Sequence, residues 1–121
     1  MRILAECKDA QKIGISGHIR PDGDCIGSCL ALYQYLKKCL SSDAEVTVYL
    51  EKPAPIFDKM AGFEYIVNDY PDVESMDVFF VLDCNLERLG DGAKYFDMAK
   101  KRINIDHHIS NPLFAEYNHV E

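Results

Sequence analysis

The alternation of apolar and polar positions divides the chain into short strands and helices that take turns. Residues 1–10 are expected to form a short helix with Ile3, Leu4 and Cys7 on its apolar side. KIGIS, residues 12–16, is a short strand. Between Ile26 and Leu40 the apolar residues Cys29, Leu30, Leu32, Tyr33, Leu36 and Leu40 recur at helical spacing, and SSD at 41–43 breaks the pattern. EVTVYL, residues 45–50, is rich in β-branched and aromatic side chains and reads as a second strand.

Pro53 and Pro55 open a loop that leads to a short helix near Ile56–Met60, with a weak strand expected at Glu64–Val67. DVFFVLD, residues 77–83, is an almost continuous apolar run closed by an acid, the mark of a strand buried on both faces. A helix follows around Gly92–Ala99, and RINID at 102–106 is the next strand. There is no repeat, low-complexity tract or linker. Strands alternating with helices predict an α/β domain with a mostly parallel sheet flanked by helices.

The 121 residues make one domain with room for a real core. With 13 Lys and Arg against 20 Asp and Glu, the net charge of −7 argues against a broad electrostatic grip on duplex nucleic acid. A small phosphorylated substrate remains compatible, provided another group supplies positive charge. Five cysteines, Cys7, Cys25, Cys29, Cys39 and Cys84, are an odd number without CxxC spacing, which fits reduced thiols in a cytoplasmic protein. Cys25 and Cys29 could share a helical face, but two thiols do not make a zinc site. The N-terminus lacks the apolar core of a signal peptide, and no apolar run approaches the ~18 residues of a membrane span.

One loop changes this picture. In GHIRPDGDCIGS, residues 17–28, His18, Asp22 and Asp24 crowd together, and Pro21 and Gly23 are expected to delay the following helix. Ligands of open parallel sheets bind outside the carboxyl ends of the strands. Three polar groups occupy such ends here: His18, Asp22 and Asp24 after the first strand, Asp83 closing DVFFVLD, and Asp106-His107-His108 closing RINID. Four carboxylates gathered at one edge would repel, and most would have to protonate. Divalent cations remove that cost, and imidazole mixed with carboxylate suits Mn²⁺ better than Ca²⁺. The donors His18, Asp22, Asp24, Asp83 and His107 are too many for one catalytic ion and fit two, roughly 3.5–4 Å apart.

Blander readings stand beside these. DGD occurs in Ca²⁺ loops, but the EF-hand spacing of further acids is missing. In haloacid-dehalogenase phosphatases the nucleophilic Asp ends the strand directly, where this chain has His18. A phospho-receiver has strand-end acids but no use for the paired histidines. Asp22 alone can be a helix cap, a role that leaves His18 and Asp24 unexplained. His107-His108 alone reads as a polar loop. Ser28 with Gly27 could donate to phosphate, with capping the simpler account. Arg88 is either a phosphate contact or an ion-pairing surface residue. Asn111 either binds substrate or braces its loop. Arg20, Asn118 and His119 receive no assignment.

HIRPDGDCIGS, the strand-terminal VLD and NIDHHISN together resemble the DHH phosphoesterases, over essentially the whole chain. HIRPDGDCIGSCLALYQYLKK, VTVYLEKPAP, LDCNLERLGD and NIDHHISNPLFAEYNHVE are most similar to the branch of that family that combines oligoribonuclease and 3′-phosphoadenosine-5′-phosphate (pAp) phosphatase activity. The resemblance implies that His18, Asp22 and Asp83 hold one Mn²⁺ and that Asp24, Asp83 and His107 hold a second, with Asp83 bridging. His108 would contact phosphate or transfer a proton, and Asp106 would support the site; Arg88 and Asn111 are the candidate substrate contacts read from the residues. It also implies that residues 1–121 are the first part of a longer catalytic unit. A further Asp ligand and a C-terminal substrate-binding domain would lie beyond Glu121. The substrates implied are short single-stranded RNA or pAp, with no membrane partner, and homo-oligomerisation is left open. The alternatives are another activity of the family (single-strand exonuclease, cyclic-dinucleotide phosphodiesterase or inorganic pyrophosphatase) or a metal-binding piece without turnover of its own.

Overall fold

The computed structural model describes residues 3–82, 86–106 and 117–120. A short helix α1 (Ile3–Glu6) precedes strand β1 (Lys12–Ser16), and a long helix α2 (Gly23–Cys39) carries the chain to β2 (Glu45–Tyr49). Single 3₁₀ turns at Pro55–Phe57 and Phe63–Tyr65 lead into a two-residue strand β3 (Ile66–Val67). The chain then enters β4 (Val78–Leu82), passes two further 3₁₀ turns, Leu86–Arg88 and Gly90–Gly92, and forms α3 (Ala93–Met98) and β5 (Lys101–Asp106). A last strand, β6 (Tyr117–Val120), closes the order.

The six strands form one sheet in the order β3-β2-β1-β4-β5-β6, and every described pair is parallel. This is the doubly wound arrangement, in which strand order reverses between β1 and β4. Side-chain alternation along β1 and β4 sends residues to opposite faces. Ile13, Ile15, Val78 and Phe80 join Ile26, Cys29, Leu30 and Leu36 of α2 on one side. Phe79 and Val81 join Tyr95 and Phe96 of α3 on the other. β4 is buried throughout, as its uninterrupted apolar run implies. At the centre, Gly14 lies opposite Phe79, where a Cβ would stand 2.6 Å from the ring carbon Cδ1. Only a residue without a side chain lets that ring fill the space over β1.

Several boundaries differ from the sequence reading. α2 begins at Gly23 rather than Ile26, because the Asp22 carboxylate accepts a hydrogen bond from the Cys25 N–H (2.9 Å) and satisfies the first turn. Gly23 therefore opens the helix instead of delaying it, and Ser28 lies in the second turn, past any capping position. Helix α1 is shorter than residues 1–10, and Asp9 beyond it takes a left-handed φ of 66°. The helix expected near residues 56–60 is a 3₁₀ turn at Pro55–Phe57. β6 was not anticipated. It exists by pairing with the open edge of β5, Ile103 to Tyr117 through Asp106 to Val120, a partnership that no local pattern announces. Among the described residues no helix is long and apolar enough to cross a membrane.

Candidate metal centre

The register places the ends of the central strands level with one another. Ser16 of β1 is partnered by Val81 of β4, and Val81 by Asn104 of β5. His18, Asp83 and Asp106 are each two residues further along the chain from that row. The loop after β1 is drawn in against β4: a Cβ on Gly17 would meet Cys25 Sγ at 2.3 Å and the Leu82 carbonyl at 3.2 Å. Glycine at 17 is what lets the loop run this close to the strand end. The loop thus sits at the point where strand order reverses, where doubly wound sheets bind their ligands.

Within that loop His18 is 3 % exposed, one of few buried polar side chains. Its Nδ1 lies 2.7 Å from the Ile19 carbonyl oxygen. Two lone pairs could not approach so closely, so Nδ1 carries the proton and donates. In the neutral ring the lone pair is then on the other nitrogen, Nε2, which stands 3.7 Å from Asp22 Oδ1. A metal-binding imidazole is prepared in this way, one N–H tied to a carbonyl and the opposite nitrogen facing a carboxylate.

Asp22 is largely exposed, and its carboxyl is held below the ordinary carboxylate value. The Cys25 N–H is the main cause, and His18 and Arg88 act in the same direction against the effect of burial. The group is an anion at neutral pH, with Oδ1 shared between the helix N-terminus and the imidazole. Arg88 ends the turn Leu86–Arg88 and brings Nη2 to 3.3 Å from His18 Nδ1. Because that nitrogen already donates to Ile19, the guanidinium is packed beside the ring rather than bonded to it. Among the described residues the Arg88 side chain has no hydrogen-bond or ion-pair partner apart from this approach to the ring nitrogen. The same turn binds the loop through its backbone: Ile19 N–H donates to the Arg88 carbonyl at 2.7 Å.

Of the residues singled out in the sequence, the structure brings together His18, Asp22 and Arg88. Asp24 lies exposed in the first turn of α2, two residues past Asp22. Asp106 ends β5. Asp83, His107, His108 and Asn111 lie outside the described residues. Among the described residues no three of His, Cys, Asp and Glu form a metal-binding group. The pair present fits a cation nonetheless: an imidazole with Nδ1 tied to a carbonyl and a carboxylate already ionised. Arg20, left unassigned in the sequence, takes a left-handed φ of 51° and donates its N–H to Glu51 Oε1 at 3.0 Å, tying the loop to the chain after β2. Sequence reasoning missed the Ile19 peptide and Gly90, which act through backbone groups and leave no signature in side-chain chemistry.

Residues 12–120 match the family model described as DHH family, N-terminal domain. Among solved structures the chain is similar to an exopolyphosphatase-related protein from Bacteroides fragilis, with 27 % sequence identity and a TM-score of 0.84. The match covers 98 % of this chain and 37 % of that protein, so the chain spans little more than a third of its length.

Proposed function

The chain belongs to the DHH family, as its N-terminal domain, and on that premise we propose that it forms part of a Mn²⁺-dependent phosphoesterase that hydrolyses short RNA oligonucleotides and pAp. The observation that supports this reading is the pairing of a tautomer-fixed His18 with an ionised Asp22 at the carboxyl edge of the sheet, beside Arg88. Residues of this family's phosphoesterases hold metal, and the donor set here suits a pair of Mn²⁺ ions. When bound, the metal supplies the positive charge that an acidic domain lacks and acidifies a water for attack on phosphorus.

In this reading His18, Asp22 and Asp83 would hold one ion, and Asp24, Asp83 and His107 the second. Arg88 would offer its N–H groups to a substrate phosphate, and Asn111 would be a further substrate contact. His108 would contact a substrate phosphate or transfer a proton, and Asp106 would support the site. The C-terminal domain expected beyond Glu121 would select the substrate. A second reading is supported by the exopolyphosphatase-related structure: the same site would then cleave a phosphoanhydride chain instead of a nucleotide phosphoester.

The test compares Mn²⁺ with EDTA on pAp, a short RNA and inorganic polyphosphate, for residues 1–121 and for a form extended beyond Glu121. The proposal expects the extended form to hydrolyse pAp and RNA with Mn²⁺ only, and Asp83→Ala to remove activity while leaving the fold intact. Hydrolysis of polyphosphate alone would favour the second reading. Undiminished activity in EDTA or in Asp83→Ala would overturn both.

A further inference from the structure

The backbone of Ile19 is gripped on both sides. The N–H of Ile19 donates to the Arg88 carbonyl, and the carbonyl of Ile19 accepts from His18 Nδ1, each at 2.7 Å. A third contact sets how closely the two segments approach. Gly90 takes a left-handed φ of 66°, and a Cβ there would stand 2.5 Å from Ile19 Cγ2. Gly90 opens the 3₁₀ turn Gly90–Gly92, which follows the turn Leu86–Arg88 after one residue. Leu89 between them is fully buried and anchors the stretch in the core beneath.

We propose that residues 88–90 form a positioning clamp that fixes the tautomer of His18, with Gly90 as its determining residue. The inference rests on the reading of His18 as a metal ligand, but its own readout needs no metal. The physical chain is short. A side chain at 90 forces Ile19 away, the Arg88 carbonyl loses the Ile19 N–H, and the Ile19 peptide is free to turn. Its carbonyl then no longer holds the proton on Nδ1. In neutral imidazole one nitrogen is the donor and the other the acceptor. Arg88 Nη2, 3.3 Å from Nδ1, is then placed to donate to that nitrogen, which would move the ring proton to Nε2 and cap the lone pair that a metal needs. Gly90 thus decides between two partners for Nδ1, a carbonyl that leaves Nε2 open and a guanidinium that closes it.

The experiment reads the imidazole nitrogens directly, by NMR of metal-free protein labelled with ¹⁵N-histidine, at about pH 9, where imidazole is neutral. The proposal expects His18 in the Nδ1–H form in the unmodified protein. Gly90→Ala is expected to shift the ring toward Nε2–H and to weaken Cd²⁺ or Mn²⁺ binding, measured by calorimetry, by about 10- to 100-fold, the range for loss of a ligand-orienting partner. The double variant Gly90→Ala with Ile19→Ala removes the clashing methyl and should restore both readouts in part, the remainder reflecting the strain of alanine at the left-handed φ of 66°. Finding His18 as Nε2–H in the unmodified protein would overturn the proposal, whether or not the variants fold. So would a folded Gly90→Ala protein with unchanged tautomer and metal affinity. Normal tautomer behaviour with no metal binding in any form would instead refute His18 as a ligand and leave the clamp standing.

Discussion

Oδ1 of Asp22 serves two neighbours at once: it accepts the Cys25 N–H at 2.9 Å and faces His18 Nε2 at 3.7 Å. One atom therefore starts helix α2 and completes the first pair of candidate ligands. The cap fixes the carboxylate where a cation can use it, and the backbone N–H keeps it ionised. Cap and ligand were rival readings of Asp22 in the sequence. In the folded chain the first holds the carboxylate in place for the second.

The two roles separate by substitution. Asn caps a helix about as well as Asp, whereas Ala does not, at a cost of roughly 0.5–2 kcal/mol. Asp22→Asn should keep a near-normal melting temperature by circular dichroism and lose at least about tenfold in Mn²⁺ affinity by calorimetry. Asp22→Ala should lose both. Equal metal affinity in Asp22→Asn and the unmodified protein would remove Asp22 from the ligand set.

At the opposite, amino-terminal edge of the sheet, Asp77 Oδ2 accepts the N–H groups of Gln11 and Lys12, both at 2.9 Å. These bonds hold its carboxyl below the ordinary 3.8, with Lys100 adding to the effect. Because folding depresses this pKa, the carboxylate's contribution is complete above pH 3.8 and is lost as pH falls through the lower folded value. Asp77→Ala should cost about 1.5–3 kcal/mol at pH 7, measured by urea denaturation, and the gap should narrow in acid. A gap of constant size down to about pH 2 would mean that charge plays no part.

The close approach of Gly14 to Phe79 has a cost if it is disturbed. With 2.6 Å to Cδ1 and 2.9 Å to Cε1, a methyl group at 14 must displace a fully buried ring. Gly14→Ala should destabilise by about 1–3 kcal/mol, the usual range for overpacking, and combining it with Phe79→Leu should recover part of the loss. An unchanged urea midpoint for Gly14→Ala would show that the ring yields freely.

Thiol reactivity should follow burial. Cys39 is exposed, while Cys7, Cys25 and Cys29 are buried, and burial pushes the Cys7 thiol up to about 11. Alkylation of native protein at about pH 8, followed by peptide mass spectrometry, should mark Cys39 quickly and the three buried thiols only on unfolding. Rapid labelling of Cys25 would show that the contact under Gly17 opens.

The sequence by itself determined the alternation of strands and helices, because apolar periodicity is local. KIGIS and EVTVY fell on strands within a residue of their expected limits, and the unbroken run VFFVL declared a strand covered on both sides. It also named the chemistry, since His18, Asp22 and Arg88 carry their donors and acceptors wherever they stand. Tertiary structure decided the rest. Strand order, the pairing of β6 with β5 and the reversal point between β1 and β4 depend on partners far away in the chain. So does the preparation of His18. Its tautomer is set by the Ile19 carbonyl, and the Ile19 N–H by the carbonyl of a residue 69 positions later in the chain, Arg88. Backbone groups are the same in every residue, so no reading of side chains could have found them. Only folding brings them within hydrogen-bonding distance.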